Sequence, residues 1–222
     1  MAFRRMDKRA LWTRWRPLAV PSLFFLGVLY YEELFLKLYC FGGVSLPGAF
    51  FTLLFSIPVA LVMGLLCRAG GRRGPEVLAV LTILLSTWMG SQAIYYHLFK
   101  TFLTLFSLTK MTMVAGAFGD MAVGEILLNW FPVLMVAIPA VLALVFRGRL
   151  CPAAPRERRA LLRGLLLAAG VQLISMGLVL LCGGGVLSLR YIYFQAAVPV
   201  LEVQNFGMMT QTQLEVRRVL FG

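Results

Sequence analysis

The sequence predicts an all-α integral membrane protein with five transmembrane helices, and three observations carry that expectation. Apolar residues make up 60% of the 222-residue chain against 14% charged residues, and the mean hydropathy is +0.86, too apolar a balance for a water-soluble domain of this size. The apolar residues are gathered in runs of about 20, the length that crosses a hydrocarbon core of about 30 Å at 1.5 Å per residue. Lys and Arg crowd into alternate connections. The runs lack the alternating polarity of barrel strands, and a segment in lipid must satisfy its own backbone, so helices are expected.

Four runs are plain at 46–67, 76–98, 124–146 and 160–182. The first, 18–37, follows a basic leader with Arg4, Arg5, Lys8, Arg9, Arg14 and Arg16, the pattern that also opens a signal peptide. No small-residue cleavage motif follows it, and the run is longer than a usual signal core, so an uncleaved first helix is expected. The chain then divides into a leader at 1–17, a five-helix domain at 18–182 and a juxtamembrane linker at 183–222, opened by Gly183, Gly184 and Gly185.

Fifteen of the 21 Lys and Arg residues fall in the leader, the second connection and the fourth connection. By the positive-inside tendency the N-terminus is cytoplasmic and the C-terminus outside. Basic loops lying against anionic lipid head groups account for the net charge of +12, so no nucleic-acid partner is needed. Cys40, Cys67, Cys151 and Cys182 are scattered, with no CxxC pair and one histidine, His97. That spacing indicates neither a metal site nor a disulfide framework.

Between the third and fourth runs, 99–121 interleaves Phe102, Leu105, Phe106, Leu108, Met111 and Val114 with Lys100, Lys110 and Asp120. This reads as an amphipathic segment lying along the outer interface. Further on, Thr210 stands three residues before Gln213 and Thr212 three before Glu215, so either opens a short helix through 214–220 by the S/T-x-x-E/Q pattern. Arg217 and Arg218 would then favour the negative end of that helix.

Charged groups at membrane depth point to function. Glu32 and Glu33 lie in the outer third of the first span, and Lys37 stands one turn beyond Glu33 on the same face. Glu33 and Lys37 make either a structural ion pair at the outer interface or a polar contact to a lipid head group or a neighbouring helix. In the third span Trp88, Gln92, Tyr95, Tyr96 and Phe99 share one face. Tyr95 and Tyr96 fit an interfacial aromatic belt or a lipid contact, whereas Gln92 is deep enough to bond to another helix. Gln172 and Ser175 read as interhelical polar contacts. No phosphate-binding glycine loop, metal-ligand spacing or nucleophile elbow is present, so no catalytic residue is assigned.

Several stretches resemble the membrane domain of the lipoteichoic acid synthase family, phosphoglycerol transferases of the sulfatase superfamily. They are Glu32-Glu33-Leu34-Phe35-Leu36-Lys37, Gln92-Ala93-Ile94-Tyr95-Tyr96-His97-Leu98-Phe99 with Lys100-Thr101-Phe102, and Leu105-Phe106-Ser107-Leu108. The run Asn205-Phe206-Gly207-Met208-Met209-Thr210 and the stretch Arg218-Val219-Leu220-Phe221-Gly222 resemble the family's linker after the fifth helix. The resemblance implies a bacterial cell membrane as the location, and a five-helix anchor for an extracellular domain that moves glycerol phosphate from phosphatidylglycerol onto a threonine at a manganese site. The chain stops where that domain would start, so the threonine and the metal ligands have no counterparts here, and manganese is expected only in the absent domain. The function expected is therefore an anchor that presents phosphatidylglycerol, with a separate extracellular catalytic domain as partner. A small stand-alone transporter or lipid-handling protein, and a truncated inactive remnant, are the alternatives.

Overall fold

A computed structural model of the chain describes residues 8–105, 107, 124, 127–128, 130–152, 158–185 and 187–221, with side chains from residue 15 onward. Five long helices run through it: α1 (Lys8–Phe41), α2 (Leu46–Ala69), α3 (Gly74–Phe99), α4 (Trp130–Leu150) and α5 (Arg158–Leu181). Each contains a stretch long and apolar enough to cross a membrane. Three short helices follow: α6 (Leu189–Phe194), α7 (Pro199–Phe206) and α8 (Met208–Phe221). The described residues contain no strand.

The predicted spans are all present, with shifted ends. α1 begins ten residues before the expected apolar run, because the basic leader continues the helix beyond the hydrophobic stretch. α4 is continuous from Trp130 to Leu150. Most of the expected amphipathic segment at 99–121 lies outside the described residues. Helix ends follow local chemistry. Ser45 caps α2 by accepting from Gly48 N at 3.1 Å, with Pro47 in the first turn, where a missing N–H costs nothing. α3 ends at Lys100, whose φ of 54° is left-handed, and α5 gives way to Gly183 at φ 76°, as helix C-termini commonly do.

α1 packs along α2, α3 along α4, and α2 along α5, while α1 also meets α3 and α4. The bundle thus has α1, α2 and α3 at its centre, with α4 and α5 as flanks. Burial agrees: about half of the spanning residues in α1, α2 and α3 are enclosed, against 22% in α4 and α5. The centre holds Phe25, Leu29, Leu36, Leu78 and Met89, each almost fully enclosed. The lipid-facing sides of α4 and α5 carry exposed leucines such as Leu134, Leu144, Leu166 and Leu173, as expected where the solvent is hydrocarbon.

Proline inside a span removes one N–H and orphans the carbonyl four residues earlier. Pro139 in α4 does this to Met135. The Tyr31 hydroxyl on α1 donates to that carbonyl at 3.1 Å, so a neighbouring helix repairs the break, as lipid cannot. Tyr31→Phe should therefore destabilise the bundle by about 1 kcal/mol, lowering the thermal midpoint in detergent by about 2–4 °C. An unchanged midpoint would show that the freed carbonyl finds another donor.

Candidate functional site

One end of the bundle is closed by its own chain. The end in question is where α1 and α3 finish, α2 starts and α5 finishes; α6, α7 and α8 pack there, against α5, α2 and each other. We call it the capped end. The opposite end carries Arg68, Arg72, Arg73, Arg147, Arg149, Arg158, Arg159 and Arg163.

Glu33 governs the capped end. It is 1% exposed, and its carboxylate accepts from the backbone N–H groups of Met208 at 2.7 Å and Met209 at 2.8 Å. These are the first two residues of α8, so a side chain of α1 supplies the helix cap from 175 residues away. Amide groups that α8 cannot satisfy internally meet a negative charge at its positive end, in short charge-assisted bonds. Gly207 makes the approach possible. Its φ is 94°, and a Cβ there would stand 2.8 Å from Glu33 Oε2, so a side chain would be both strained and obstructed.

The local capping expectation for the tail is thereby corrected. α8 begins at Met208, before either threonine, and both hydroxyls bond to carbonyls four residues back: Thr210 donates to Phe206 O at the end of α7 and Thr212 to Met208 O, each at 3.0 Å. The S/T-x-x-E/Q pattern was outcompeted by a full carboxylate. Arg218 also does something different from stabilising its own helix end. It donates to Ala196 O at 2.8 Å and pairs with the buried Glu202 of α7. Burial pushes the Glu202 carboxyl up, and the Arg218 hydrogen bond and charge draw it back. Glu215 accepts from Leu105 N at 3.0 Å, fastening α8 to the segment after α3.

Lys37 is buried against α2. It is 1% exposed, and its ammonium donates to Gly48 O at 3.1 Å and to the Thr52 hydroxyl, both on α2. No Glu33–Lys37 ion pair is formed among the described residues, because each group has found backbone and hydroxyl partners on a different element. Gly48 is the second close approach, since a Cβ there would lie 2.7 Å from Gln204 O of α7. Around this polar knot sits an aromatic one. Phe206 makes edge contacts with Phe51, Phe55 and Tyr193 at 5.8, 5.8 and 5.3 Å, and Phe55 stacks on Tyr193 at 5.3 Å, each pair worth about 0.5–1.5 kcal/mol beyond area burial.

Glu32 points elsewhere, since adjacent residues on a helix diverge by about 100°. It is fully buried and accepts from Ser86 Oγ of α3 at 2.6 Å. Gln92 is fully buried as well, but its partner is not a helix: its amide donates to Leu103 O at 3.2 Å and accepts from Leu103 N at 2.9 Å. The side-chain amide thus serves as a backbone pair for a turn folded over the end of α3. Tyr95 packs against Phe99 at a tilt, centroids 4.5 Å apart, Tyr96 lies between Phe41 and Phe102 at 5.5 and 5.0 Å, and Lys100 sits 5.9 Å over the Tyr96 ring. His97 packs against Tyr39 at 4.5 Å. Ser175 bonds within its own helix, to Val171 O, and Gln172 reaches Gln213 of α8 at 3.5 Å.

The sequence reading missed the use made of Gly48, Thr52, Glu202 and Gly207. At the opposite end Cys67 and Cys151, 84 residues apart in the chain, lie thiol to thiol. Among the described residues no group of three or more His, Cys, Asp or Glu is placed to hold a metal.

These features define a multi-pass helical membrane protein with a helical cap over one end. No protein-family model, no curated protein and no solved structure matches the chain.

The Glu33 cap makes a direct prediction. Gly207→Ala and Glu33→Ala should each release α7 and α8, raising the rate of tryptic cleavage at Arg217 and Arg218 by about tenfold or more, from a local loss of about 1.4 kcal/mol or more. Glu33→Gln, which keeps one carbonyl acceptor, should release them less. Cleavage at the parental rate in both alanine variants would mean that the cap is held by the aromatic contacts alone.

Proposed function

We propose that the chain is the membrane domain of a phosphoglycerol transferase resembling lipoteichoic acid synthase, an anchor that presents phosphatidylglycerol to an extracellular catalytic domain. The observation that carries this reading is the capped end. Residues 189–221 are packed against the bundle, with carboxylate-to-backbone hydrogen bonds and aromatic contacts to α1, α2 and the segment after α3. A tail fastened at that many points suits a platform that holds an attached or docking enzyme at a fixed height. The far end of α8 presents Val219, Leu220 and Phe221, 72, 67 and 86% exposed, on the surface where such a domain would be seated.

The orientation proposed puts the basic end in the cytoplasm and the capped end outside. The aromatic cluster of Tyr95, Tyr96 and Phe99 with Lys100 then lies at the outer interface, where amphipathic rings and a cation meet lipid head groups. The transporter alternative requires a polar route across the bundle. Glu32, Glu33, Lys37 and Gln92 are instead engaged with Ser86, α8, α2 and Leu103 respectively, which favours the platform.

Two measurements test the reading. A cysteine at position 100 should react with a membrane-impermeant maleimide on intact cells, and one at position 72 only after lysis; the reverse pattern would overturn the orientation. Native mass spectrometry of the protein extracted from mixed-lipid membranes should show phosphatidylglycerol retained above its bulk share. Retention in simple proportion to membrane composition would remove the lipid-presenting role.

A further inference from the structure

At the capped end, where α5 turns into α6, lies an open cavity of about 450 Å³. Its walls include Leu180, Ser188, Arg190, Tyr191, Phe194 and Gln195, and none of its described lining residues is acidic. The cavity is large enough for a small polar head group. Arg190 is exposed, and no hydrogen bond or ion pair among the described residues engages its guanidinium. That distinguishes it from Arg218, which is consumed by Glu202 and Ala196. A second cation stands behind the wall: Arg217 lies 5.9 Å over the ring of Phe194. The nearby carboxylates of Glu202 and Glu215 are occupied, by Arg218 and by Leu105 N. The cavity is therefore a positively charged recess at the level where a span meets the interface.

The adjoining face of α5 is shaped for something long and apolar. Gly170, Leu173, Gly177 and Leu180 recur at spacings of three and four and so share one face. A Cβ at Gly170 or at Gly177 would have nothing within 4 Å, so these glycines are not explained by a helix packed against them. Leu173 is 67% exposed, and Leu180, 46% exposed, also lines the cavity. An open apolar face of α5 thus adjoins a recess bearing an unengaged arginine.

We propose that this cavity binds the phosphate ester of an anionic phospholipid, with Arg190 as its phosphate contact and an acyl chain lying on the Gly170–Gly177 face of α5. The inference rests on the lipid-presenting reading above and gives it a location, away from the engaged Glu33 and Lys37. Arg suits the task because its planar fork offers paired donors to phosphate oxygens and stays charged at every physiological pH. Ser188 and Gln195 add a hydroxyl and an amide able to meet the remaining ester or glycerol oxygens.

Native mass spectrometry with titrated lipid tests this on the full chain, using phosphatidylglycerol, phosphatidylcholine and soluble glycerol phosphate as separate probes. Phosphatidylglycerol should bind at least tenfold more tightly than either of the others. Arg190→Gln should weaken that binding about tenfold, and Arg190→Lys less. Gly177→Leu, at a position where an added Cβ has nothing within 4 Å, should weaken it while leaving Arg190 untouched, and carries the test should Arg190→Gln fail to fold. Arg158→Gln, at the opposite end, should change nothing. Equal binding of phosphatidylcholine, equal binding of glycerol phosphate, or indifference to both Arg190→Gln and Gly177→Leu would each overturn the site. Indifference to both, with phosphatidylglycerol still retained, would leave the lipid-presenting role standing and move it elsewhere; no retention by the parent protein would remove both.

Discussion

The bond between the Glu33 carboxylate and the first two amides of α8 is the constraint on which the capped end depends. A carboxylate this deep is costly unless its lone pairs are met, and a helix N-terminus meets them with two N–H groups and the positive end of a dipole. About 12 Å of helix separates Glu33 from the end of α1 at Phe41, so α8 must begin beside the bundle rather than float above it. That requirement places Gly207 against the carboxylate. It also brings Phe206, the residue before, onto Phe51 and Phe55.

The same logic recurs at four more polar groups set among apolar ones. Lys37 is answered by Gly48 O and Thr52, Glu32 by Ser86, Gln92 by the backbone of Leu103, and the carbonyl freed by Pro139 by Tyr31. Each bond joins separate elements, so satisfying a buried group also fixes how helices sit together. All but the Gln92 bond involve α1, which supplies Glu32, Glu33, Lys37 and Tyr31. It is the helix the others are registered against, consistent with its place at the centre of the packing.

The five spans were legible in the sequence because length and hydropathy are local properties, and the lipid core imposes one length on all of them. The polar residues worth watching were legible as well: Glu33, Lys37 and Gln92 stand out among leucines. Their partners were not. Glu33 lies 175 residues from Met208, and no spacing rule relates a carboxylate in the first span to the start of the last helix. Thr210 and Thr212 carried a local helix-start pattern that lost to a stronger, distant acceptor. Lys37 stood one turn from Glu33 and invited pairing, yet the two bond to different elements because α2 and α8 offer each a closer partner. The signal that pointed correctly was the cost itself: two glutamates and a lysine in one span require partners, and a tail rich in glycine breaks and amphipathic turns can supply them.

Amide hydrogen exchange at Met208 and Met209, measured on the protein in lipid nanodiscs, tests the central claim most directly. In a helix with no external cap the first amides exchange freely, because they have no intrahelical acceptor. With Glu33 as acceptor, both should be protected by at least a hundredfold, approaching the amides in the middle of α8. Exchange at Met208 and Met209 at the rate of an unstructured peptide, with the rest of α8 protected, would contradict the account.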